Sequence, residues 1–248
     1  MPTHNPYTFS PIGIVHSCYK EKFGIPRQPG VVTAATARLE LIAPYNRLDT
    51  LDGLEDISHI WIQFVFHATL SEKWKAKIRP PKLGGKKKLG VFATRSTHRP
   101  NPIGLSAVKI GKIHHENNRV FIDLYGADLL DGTPVLDIKP YLPYSDNIKE
   151  ATEGQVPTPN KIVLKPVRFS EQALRKGKDF QQQTKQNALL LIEQVIGQDP
   201  RPSYLSDQTD RVHGIQLWDL NIKWCAREDH FEVIEIEDRR AEHEGQII

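Results

Sequence analysis

Hydrogen-bond donors are concentrated in one short segment of the chain, residues 94–102, which reads TRSTHRPNP. Arginine can hydrogen-bond a carboxylate or a phosphate through two parallel N–H groups. Proline fixes its own φ and holds the preceding residue extended, so Arg99-Pro100 and Asn101-Pro102 leave the segment few alternative shapes. A stiff loop loses little entropy on binding, and the segment therefore predicts a site for an anionic or polar ligand. The alternative is an ordered surface loop whose arginines are only solvated.

A second stiff loop carries donors earlier in the chain. Arg27 and Gln28 stand between Pro26 and Pro29, which repeats the pattern of donor side chains on a backbone with few conformations. We interpret both loops as parts of a binding site because little ordering remains to be lost when a ligand arrives.

Positive charge is concentrated between residues 71 and 90, although the whole chain carries a formal net charge of only +3. This basic segment holds eight lysines and arginines and a single acid, Glu72. A basic strip beside a donor-rich loop is typical of a site for a polyanion, with nucleic acid the first candidate. A solvated charged loop is the alternative. The predicted RNA-binding residues are Lys73, Lys75, Lys77, Arg79, Lys86, Lys87, Lys88 and, from the neighbouring loop, Arg99.

The elements that must position these loops have the pattern of short strands separated by turns. The most apolar stretch, residues 59–67, is rich in aromatic and β-branched residues, which favours a central strand. Asn117-Asn118 predicts a hairpin because asparagine tolerates positive φ. An antiparallel β-barrel or sandwich fits this pattern best. Further strands are predicted over 12–17, 31–42, 90–93 (buried on both faces), 104–110, 112–115, 119–125 and 135–139.

The composition changes after this predicted barrel domain, 1–150. Residues 151–168 are polar and proline-rich, as in a linker. Residues 169–248 then predict a small α+β domain, in which Ser170 is the N-cap of a first helix and residues 187–196 form a second helix ahead of three strands.

The sequence favours a modular view of this second domain, and one competing view stays open. In the modular view, a chain that ends near Asn160 folds, because the barrel segment is long enough to bury its own core. In the competing view, the second domain covers apolar surface of the barrel and is needed for folding. Arg201, in the proline-flanked segment 199–204, is predicted to extend a nucleic-acid-facing surface.

Composition excludes several classes of protein. With 39% hydrophobic and 25% charged residues, the 248-residue chain has the composition of a soluble globular protein. It has no apolar run close to the roughly 20 residues of a membrane span, and its first residues lack a secretory-signal pattern. The two cysteines, Cys18 and Cys225, stand far apart, which suits a reducing, cytoplasmic location.

Missing motifs narrow the chemistry further. There is no G-x-G-x-x-G, P-loop or H-E-x-x-H motif, which argues against a Rossmann-type nucleotide site and a zinc peptidase. Adjacent strand residues point to opposite faces, so His114 and His115 do not form a tetrahedral ligand set, and no metal is predicted. A hydrolase that uses His98 or Ser106 stays open, although no nucleophile elbow is present.

Four motifs follow one another along the chain: YKEKFGIPRQPG (19–30), the apolar stretch that ends in Phe66-His67, GVFATRSTHRPNPIGLS (90–106) and DLLDGTPVLDIKPYLPYSD (128–146). In this order they resemble the TsaA-like family of tRNA adenine-N(6) methyltransferases, also called YaeB or TrmO. The likeness covers about residues 12–146, and QDPRPSY (198–204) resembles the family's bacterial C-terminal domain.

The resemblance implies a β-barrel that binds S-adenosylmethionine without a Rossmann fold and acts as a homodimer. It also implies methylation of the N(6) nitrogen of N(6)-threonylcarbamoyladenosine, the tRNA base next to the anticodon (position 37). Carried over motif by motif, the family's cofactor-binding site falls on Pro26, Arg27, Gln28, His67, Ala68, Arg95, Leu105, Asp128, Leu129, Leu130 and Asp131.

Individual roles within that site stay open. Arg95 or Arg27 suits the methionine carboxylate, because a guanidinium can fork onto a carboxylate. Asp128 or Asp131 suits the ribose hydroxyls or the α-amino group, while the turn at Asp131 explains that residue equally well.

The acceptor nitrogen must lose a proton during methyl transfer. Asp137, Lys139 and Tyr141 lie in one segment next to the donor motif, and any of them could take or relay that proton. A non-catalytic RNA-binding module, with the barrel as a reader of RNA shape, is the alternative from another class of function.

Overall fold

Six strands of the first part of the chain close into an antiparallel barrel, which confirms the predicted fold class. The computed structural model describes residues 7–71, 73–80, 88–152, 164–201, 209 and 211–240. The strands are β1 (Gly13–Ser17), β2 (Thr36–Leu41), β3 (His59–Val65), β4 (Lys77–Ile78), β5 (Leu89–Gly90), β6 (Ile103–Glu116), β7 (Arg119–Tyr125) and β8 (Thr133–Pro140). The barrel order is β1-β2-β7-β6-β3-β8, and β8 pairs with β1 to close it, while β4 and β5 form a separate two-stranded antiparallel sheet.

Alternation along the strands builds the barrel core. On β3, the side chains of Ile60, Ile62 and Phe64 are buried, whereas Trp61 and Gln63 are only half-buried, because successive strand residues face opposite sides. The buried residues of the neighbouring strands complete one apolar cluster with Val15, Leu39, Leu41, Val108, Ile110, Val120, Ile122, Leu124 and Val135.

The register of β3 brings distant residues into rows on the outer face of the barrel. Gln63 lies opposite Leu105 of β6 on one side and opposite Asp137 of β8 on the other. In the next row, Trp61 lies opposite Lys139. Leu105 and Asp137, predicted to serve donor binding and proton transfer, therefore lie on the same face.

The hairpin between β6 and β7 has the turn that the sequence predicts. Asn117 and Asn118 both adopt positive φ, 49° and 61°. The whole stretch Ile103–Glu116 is one strand, so the two strands predicted over 104–110 and 112–115 are continuous.

The predicted buried strand over 90–93 is wrong. Only Leu89–Gly90 is extended there, and Val91–Ala93 form a 3-10 turn in which Phe92 is 77% exposed. The carbonyl of Val91 accepts hydrogen bonds from both the backbone N–H and the hydroxyl of Thr94, which closes the turn. Periodicity in so short an apolar run does not separate a buried strand from a turn.

The second unit is a four-stranded sheet with two helices, which follow a short helix α1 (Pro143–Asp146). Its elements are β9 (Val167–Phe169), α2 (Glu171–Thr184), α3 (Ala188–Gly197), β10 (Val212–Leu217), β11 (Leu220–Ala226) and β12 (Phe231–Asp238). The sheet order is β10-β11-β12-β9, and β9, which the sequence did not predict, lies parallel to β12. As predicted, Oγ of Ser170 caps α2 by accepting the N–H of Ala173 at 3.1 Å.

Residues 18–35, here called the bridging segment, leave the barrel after β1 and pack into the core of the second unit. Cys18, Tyr19, Val32 and Ala35 are at most 1% exposed and belong to the apolar cluster formed by α2, α3 and the second sheet. The bridging segment therefore belongs to the core of the second unit, whereas the barrel strands have an apolar cluster of their own. The residues that meet in the second core are separated by about 140 positions or more in sequence.

Backbone hydrogen bonds hold the bridging segment in this position. The N–H of Trp218 donates to the carbonyl of Cys18 at 2.8 Å, and the N–H of Ala34 donates to Oε1 of Gln194 at 2.9 Å. The N–H of Gln216 donates to a carboxylate oxygen of Glu21 at 2.9 Å.

Candidate active site

The two stiff donor loops meet in space. Nη1 of Arg95 donates a hydrogen bond to Oε1 of Gln28 at 2.6 Å, across 67 residues of sequence. Arg27 and Gln28 are exposed, whereas Pro26 is buried. The contact gathers donor side chains of both loops at one exposed position.

Arg99 stabilises the 94–102 loop from within. Its Nη1 donates to the carbonyl oxygens of Thr94 at 2.7 Å and Val91 at 3.2 Å, and its guanidinium lies 5.7 Å from the centroid of the Phe92 ring. These contacts order the loop that presents Arg95. The predicted contact of Arg99 with RNA stays a prediction, but the fold already gives this side chain a structural role.

Gly126 holds the 26–30 loop against residues 128–131. It has φ +65°, its carbonyl accepts the N–H of Gly30 at 2.8 Å, and its N–H donates to the carbonyl of Ala35 at 2.8 Å. A Cβ added to Gly126 would lie 3.3 Å from Cα of Gly30. Both the positive φ and this close approach favour glycine.

Gly126→Ala is expected to lower the free energy of unfolding by about 1–3 kcal/mol, because a side chain in a left-handed conformation is strained and also crowds Gly30. Urea denaturation measures this loss. Gly53→Ala is the matched control, since Gly53 has φ +83° but nothing within 4 Å of an added Cβ. Equal losses of stability in the two variants would show that the close approach of Gly126 to Gly30 adds nothing to the cost of the substitution.

Asp131 is occupied by contacts within the protein. Its Oδ1 accepts the N–H of Ser17 at 2.7 Å, its Oδ2 lies 2.9 Å from Nζ of Lys20, and its own N–H donates to the carbonyl of Tyr19 at 2.9 Å. These bonds tie residues 128–131 to the end of β1. They support the structural explanation of Asp131.

Asp128 differs from Asp131 because one of its oxygens has no partner. Oδ1 is sealed from solvent and forms no hydrogen bond with any described residue. Burial raises the pKa of the carboxyl group, while a hydrogen bond from Ser106 and the charge of Arg95 act in the opposite direction. A buried acceptor without a partner is costly, so Asp128 is the acid in this segment that suits a ligand.

The other predicted cofactor-binding residues differ in how deeply they are buried. His67 and Ala68 lie in a 3-10 turn after β3, where a Cβ added to Gly132 would lie 4.0 Å from Nε2 of His67. Leu129 is fully buried in the barrel core, so only its backbone is left to contact a ligand, and Leu130 is half-buried.

The three predicted proton acceptors lie on or next to β8. Oδ2 of Asp137 forms an ion pair of 2.7 Å with Nζ of Lys139, and both side chains are solvent-accessible. The ring of Tyr141 packs on Trp61, with centroids 5.4 Å apart. Asp137 is thus a hydrogen-bonded carboxylate in the row that also holds Leu105.

The described part of the basic segment is open to solvent next to the 94–102 loop. Lys73, Lys75, Lys77, Arg79 and Lys88 are all exposed. The N–H of Lys75 donates to the carbonyl of His98 at 3.2 Å, which fixes the strip beside the donor loop. Lys86 and Lys87 lie outside the described residues. The neighbouring Trp74 is 56% exposed.

Arg201 does not extend this surface, which corrects the prediction made from its loop. Its side chain is 1% exposed and forms two hydrogen bonds with the carboxylate of Asp199, at 2.7 and 2.9 Å. The guanidinium also lies 5.3 Å from the centroid of the Phe231 ring. The proline-flanked arginine therefore serves the packing of the second unit.

Sequence reasoning assigned no binding role to two residues of this region, Gln63 and Ser106. Gln63 is recognised only through the strand register, and Ser106 through its bond to Asp128.

Within the described ranges, no group of acidic, histidine or cysteine side chains is suited to a metal ion. None of the helices described is long and apolar enough to cross a membrane.

The barrel, the donor loops and the second unit together match known family models. The model of the tRNA-methyltransferase O N-terminal domain matches residues 14–147, and that of the C-terminal domain of the same proteins matches residues 163–239. The chain belongs to the tRNA-methyltransferase O family, which confirms the resemblance found in its motifs.

Full-length relatives support the same assignment. The tRNA (adenine(37)-N6)-methyltransferase of Escherichia coli is 43% identical over 237 residues, covering 94% of this chain and 99% of the relative. A Pseudomonas aeruginosa protein that carries the name "Putative S-adenosylmethionine-dependent methyltransferase RcsF" is 46% identical over 93% of this chain and 97% of its own length. A crystal structure of TrmO from Pseudomonas aeruginosa aligns with a TM-score of 0.79 at 40% identity, covering 96% of this chain and 100% of that one.

Proposed function

We propose that the protein transfers a methyl group from S-adenosylmethionine to the N(6) nitrogen of N(6)-threonylcarbamoyladenosine at position 37 of tRNA. The observation that carries the proposal is the meeting of three separate motifs of the family: Arg95 bonds to Gln28, and Gly30 of the same loop bonds to Gly126, just before Asp128. The full-length relatives named above supply the reaction.

The residues present fit a donor that carries a carboxylate and positive charge. S-adenosylmethionine supplies a methyl group on a cationic sulfur, which leaves as a neutral thioether. Arg95, which is bonded to Gln28, would hold the carboxylate of the amino-acid end. Asp128, with one carboxylate oxygen that lacks a partner, would be the acid on the positively charged side of the donor. The protein's main task is then to align donor and acceptor for a single displacement.

Proton removal from the acceptor nitrogen is assigned to Asp137. Its carboxylate is solvent-accessible, is hydrogen-bonded by Lys139, and shares an outer row of the barrel with Leu105. Tyr141, on the same segment, packs on Trp61 and helps to shape this face. A carboxylate within reach of the nitrogen accepts its proton as the new bond forms.

The tRNA lies along the basic segment in this proposal, because the lysines that the structure describes there are exposed, and Lys75 adjoins the donor loop. The protein acts as a homodimer in this proposal, and the exposed apolar side chains of Ile103 and Phe92 supply surface that a second copy would cover. Action on tRNA and two buried cysteines that are not joined in a disulfide fit a cytoplasmic location.

The experiment is mass spectrometry of tRNA nucleosides after incubation with the protein and S-adenosylmethionine. The expected product is the methylated form of N(6)-threonylcarbamoyladenosine, and tRNA that lacks the threonylcarbamoyl group is the control. A non-catalytic RNA-binding module would bind tRNA without any product and without a calorimetric signal from the donor. Turnover without a donor would instead favour a hydrolase.

Replacement of Lys73, Lys75 and Lys77 by alanine is expected to flatten the salt dependence of tRNA binding. Each phosphate contact releases about 0.9 of a counterion by analogy with duplex DNA, so the slope of log K against log salt should fall by about two to three units. Filter binding between low and physiological salt measures it, while the affinity for S-adenosylmethionine is the internal control. A wild-type slope would mean that the basic segment is only solvated.

A further inference from the structure

Three aromatic rings, here called the aromatic patch, remain accessible on the outer face of the barrel. The rings of Trp61 and Tyr141 have centroids 5.4 Å apart, and those of His59 and Tyr141 are 6.5 Å apart. The backbone N–H of Tyr141 donates to the carbonyl of His59 at 2.9 Å, which joins the residue after β8 to β3. His59 is exposed, and Trp61 and Tyr141 are half-buried, so none of the three is sealed inside the fold.

The indole ring of Trp61 is fixed in its orientation by a hydrogen bond. Its Nε1–H donates to Oδ2 of Asp146 at 2.9 Å, and the same oxygen accepts the N–H of Leu142 at 2.8 Å. This bond uses the only hydrogen-bonding atom of the indole, which leaves its apolar ring surface for other contacts. A ring that is already ordered loses little entropy when a flat ligand stacks on it.

Two lysines border the aromatic patch. Lys139 lies opposite Trp61 on β8, and Lys109 lies opposite His59 on β6. Lys109 is exposed, and the side chain of Lys139 is 61% exposed, although it forms an ion pair with Asp137. Rings beside cations are the combination with which proteins bind single-stranded nucleic acid, since the rings stack on bases and the cations face phosphates. The core of a protein–protein interface is instead depleted of charged residues.

The aromatic patch adjoins the proposed proton acceptor. Asp137 lies opposite Gln63, which is the next residue after Trp61 on the same face of β3. Same-face neighbours on a strand are about 7 Å apart, so one nucleotide can reach both Trp61 and Asp137. Proteins that read RNA loops stack splayed-out bases on aromatic side chains. The base that gives its proton to Asp137 is therefore the base within reach of the rings.

We propose that Trp61 is a binding residue for the acceptor base, and that the adenine at position 37 leaves the stack of the anticodon loop and packs against Trp61 and Tyr141. This inference rests on the proposed function, because it takes the base that is methylated as the occupant. It assigns the base to the aromatic patch, whereas the basic segment holds phosphates of the same tRNA.

The test is a thermodynamic cycle of two proteins and two RNAs. The wild type and Trp61→Ala are titrated with one tRNA in two forms, which carry either N(6)-threonylcarbamoyladenosine or an abasic ribose at position 37. Trp61→Ala is expected to weaken binding of the first form by about 5–150-fold, the usual contribution of one stacked base, and to leave binding of the second unchanged. The slope of affinity against salt should stay that of the wild type, because stacking releases no counterion.

Phe121→Ala is the matched control. Phe121 is also half-buried on the outer face of the barrel, but on β7, where its ring lies 6.4 Å from that of His16 and 5.8 Å from the guanidinium of Arg38. This variant should bind both forms of the tRNA as the wild type does. Trp61→Phe, which keeps a ring, should retain part of the affinity. If Trp61→Ala does not fold, Tyr141→Ala takes its place in the cycle.

The pattern across the two RNAs decides the inference. An equal loss for both forms, no loss for either, or a loss that Phe121→Ala reproduces would overturn it. Dissociation of a dimer in Trp61→Ala, measured by sedimentation, with base-independent tRNA binding would assign the aromatic patch to a second copy of the chain instead. A wild type that methylates the tRNA but shows no base-dependent effect of Trp61 contradicts this inference alone. A wild type that neither binds nor methylates the tRNA contradicts the proposed function.

Discussion

A chain that ends at Asn160 is expected to be insoluble or to lack cooperative unfolding. The truncation removes the helices and sheet that bury Cys18, Tyr19, Val32 and Ala35, all of which are at most 1% exposed in the intact protein. A large apolar side chain contributes about 1.5–3 kcal/mol when it is fully buried. The loss of several such contacts is comparable to the whole stability of a domain, which is about 5–15 kcal/mol.

The matched control keeps the break in the chain but restores the missing part. Co-expression of residues 161–248 with the truncated chain should return soluble protein, because the bridging segment regains its partner core. Circular dichroism during thermal unfolding and calorimetry with S-adenosylmethionine measure the result. A truncated chain that unfolds cooperatively and binds the donor would support the modular view and contradict this expectation.

Arg95→Ala is expected to weaken the binding of S-adenosylmethionine by about 1.5–3 kcal/mol, or about 10–150-fold, the contribution of a charge-assisted hydrogen bond. The substitution also removes a positive charge that lowers the pKa of Asp128. Since that carboxyl group is ionised above its pKa, the pH below which donor affinity declines should move upward in the variant. Isothermal calorimetry across a pH series measures both effects.

Two further variants make the result for Arg95 specific. Arg95→Lys keeps the charge but loses the planar fork, so it should retain only part of the affinity. Arg175→Ala, at an exposed position of α2, should bind the donor as the wild type does. Donor affinity that is unchanged in Arg95→Ala would remove this residue from the site.

The barrel was predictable from the sequence because its evidence is local. Alternation of apolar residues on β3 and the two asparagines with positive φ between β6 and β7 act within a few residues. The capping of α2 by Ser170 is also a local signal. The family motifs allowed the residues of the candidate site to be predicted, because each motif is a short stretch that is recognised from the sequence alone.

Non-local contacts limited the prediction elsewhere. Asp128 and Asp131 stand three residues apart with similar neighbours, and only the positions of Ser17 and Lys20 show that Asp131 is already hydrogen-bonded. Arg201 looked like a surface donor because nothing in its loop reveals that Phe231 lies against it. The burial of the bridging segment depends on residues that follow it by about 140 positions or more, a separation at which no periodicity operates.

The bridging segment also determines when the protein is able to fold during its synthesis. Tyr19 and Val32 leave the ribosome early, but the strands that bury them end near Asp238. At about 5–20 residues per second, their apolar side chains wait about 10–40 s for the last partner strand to emerge. The newly made chain therefore passes through a period in which a chaperone has an apolar segment to bind, and slower translation lengthens that period.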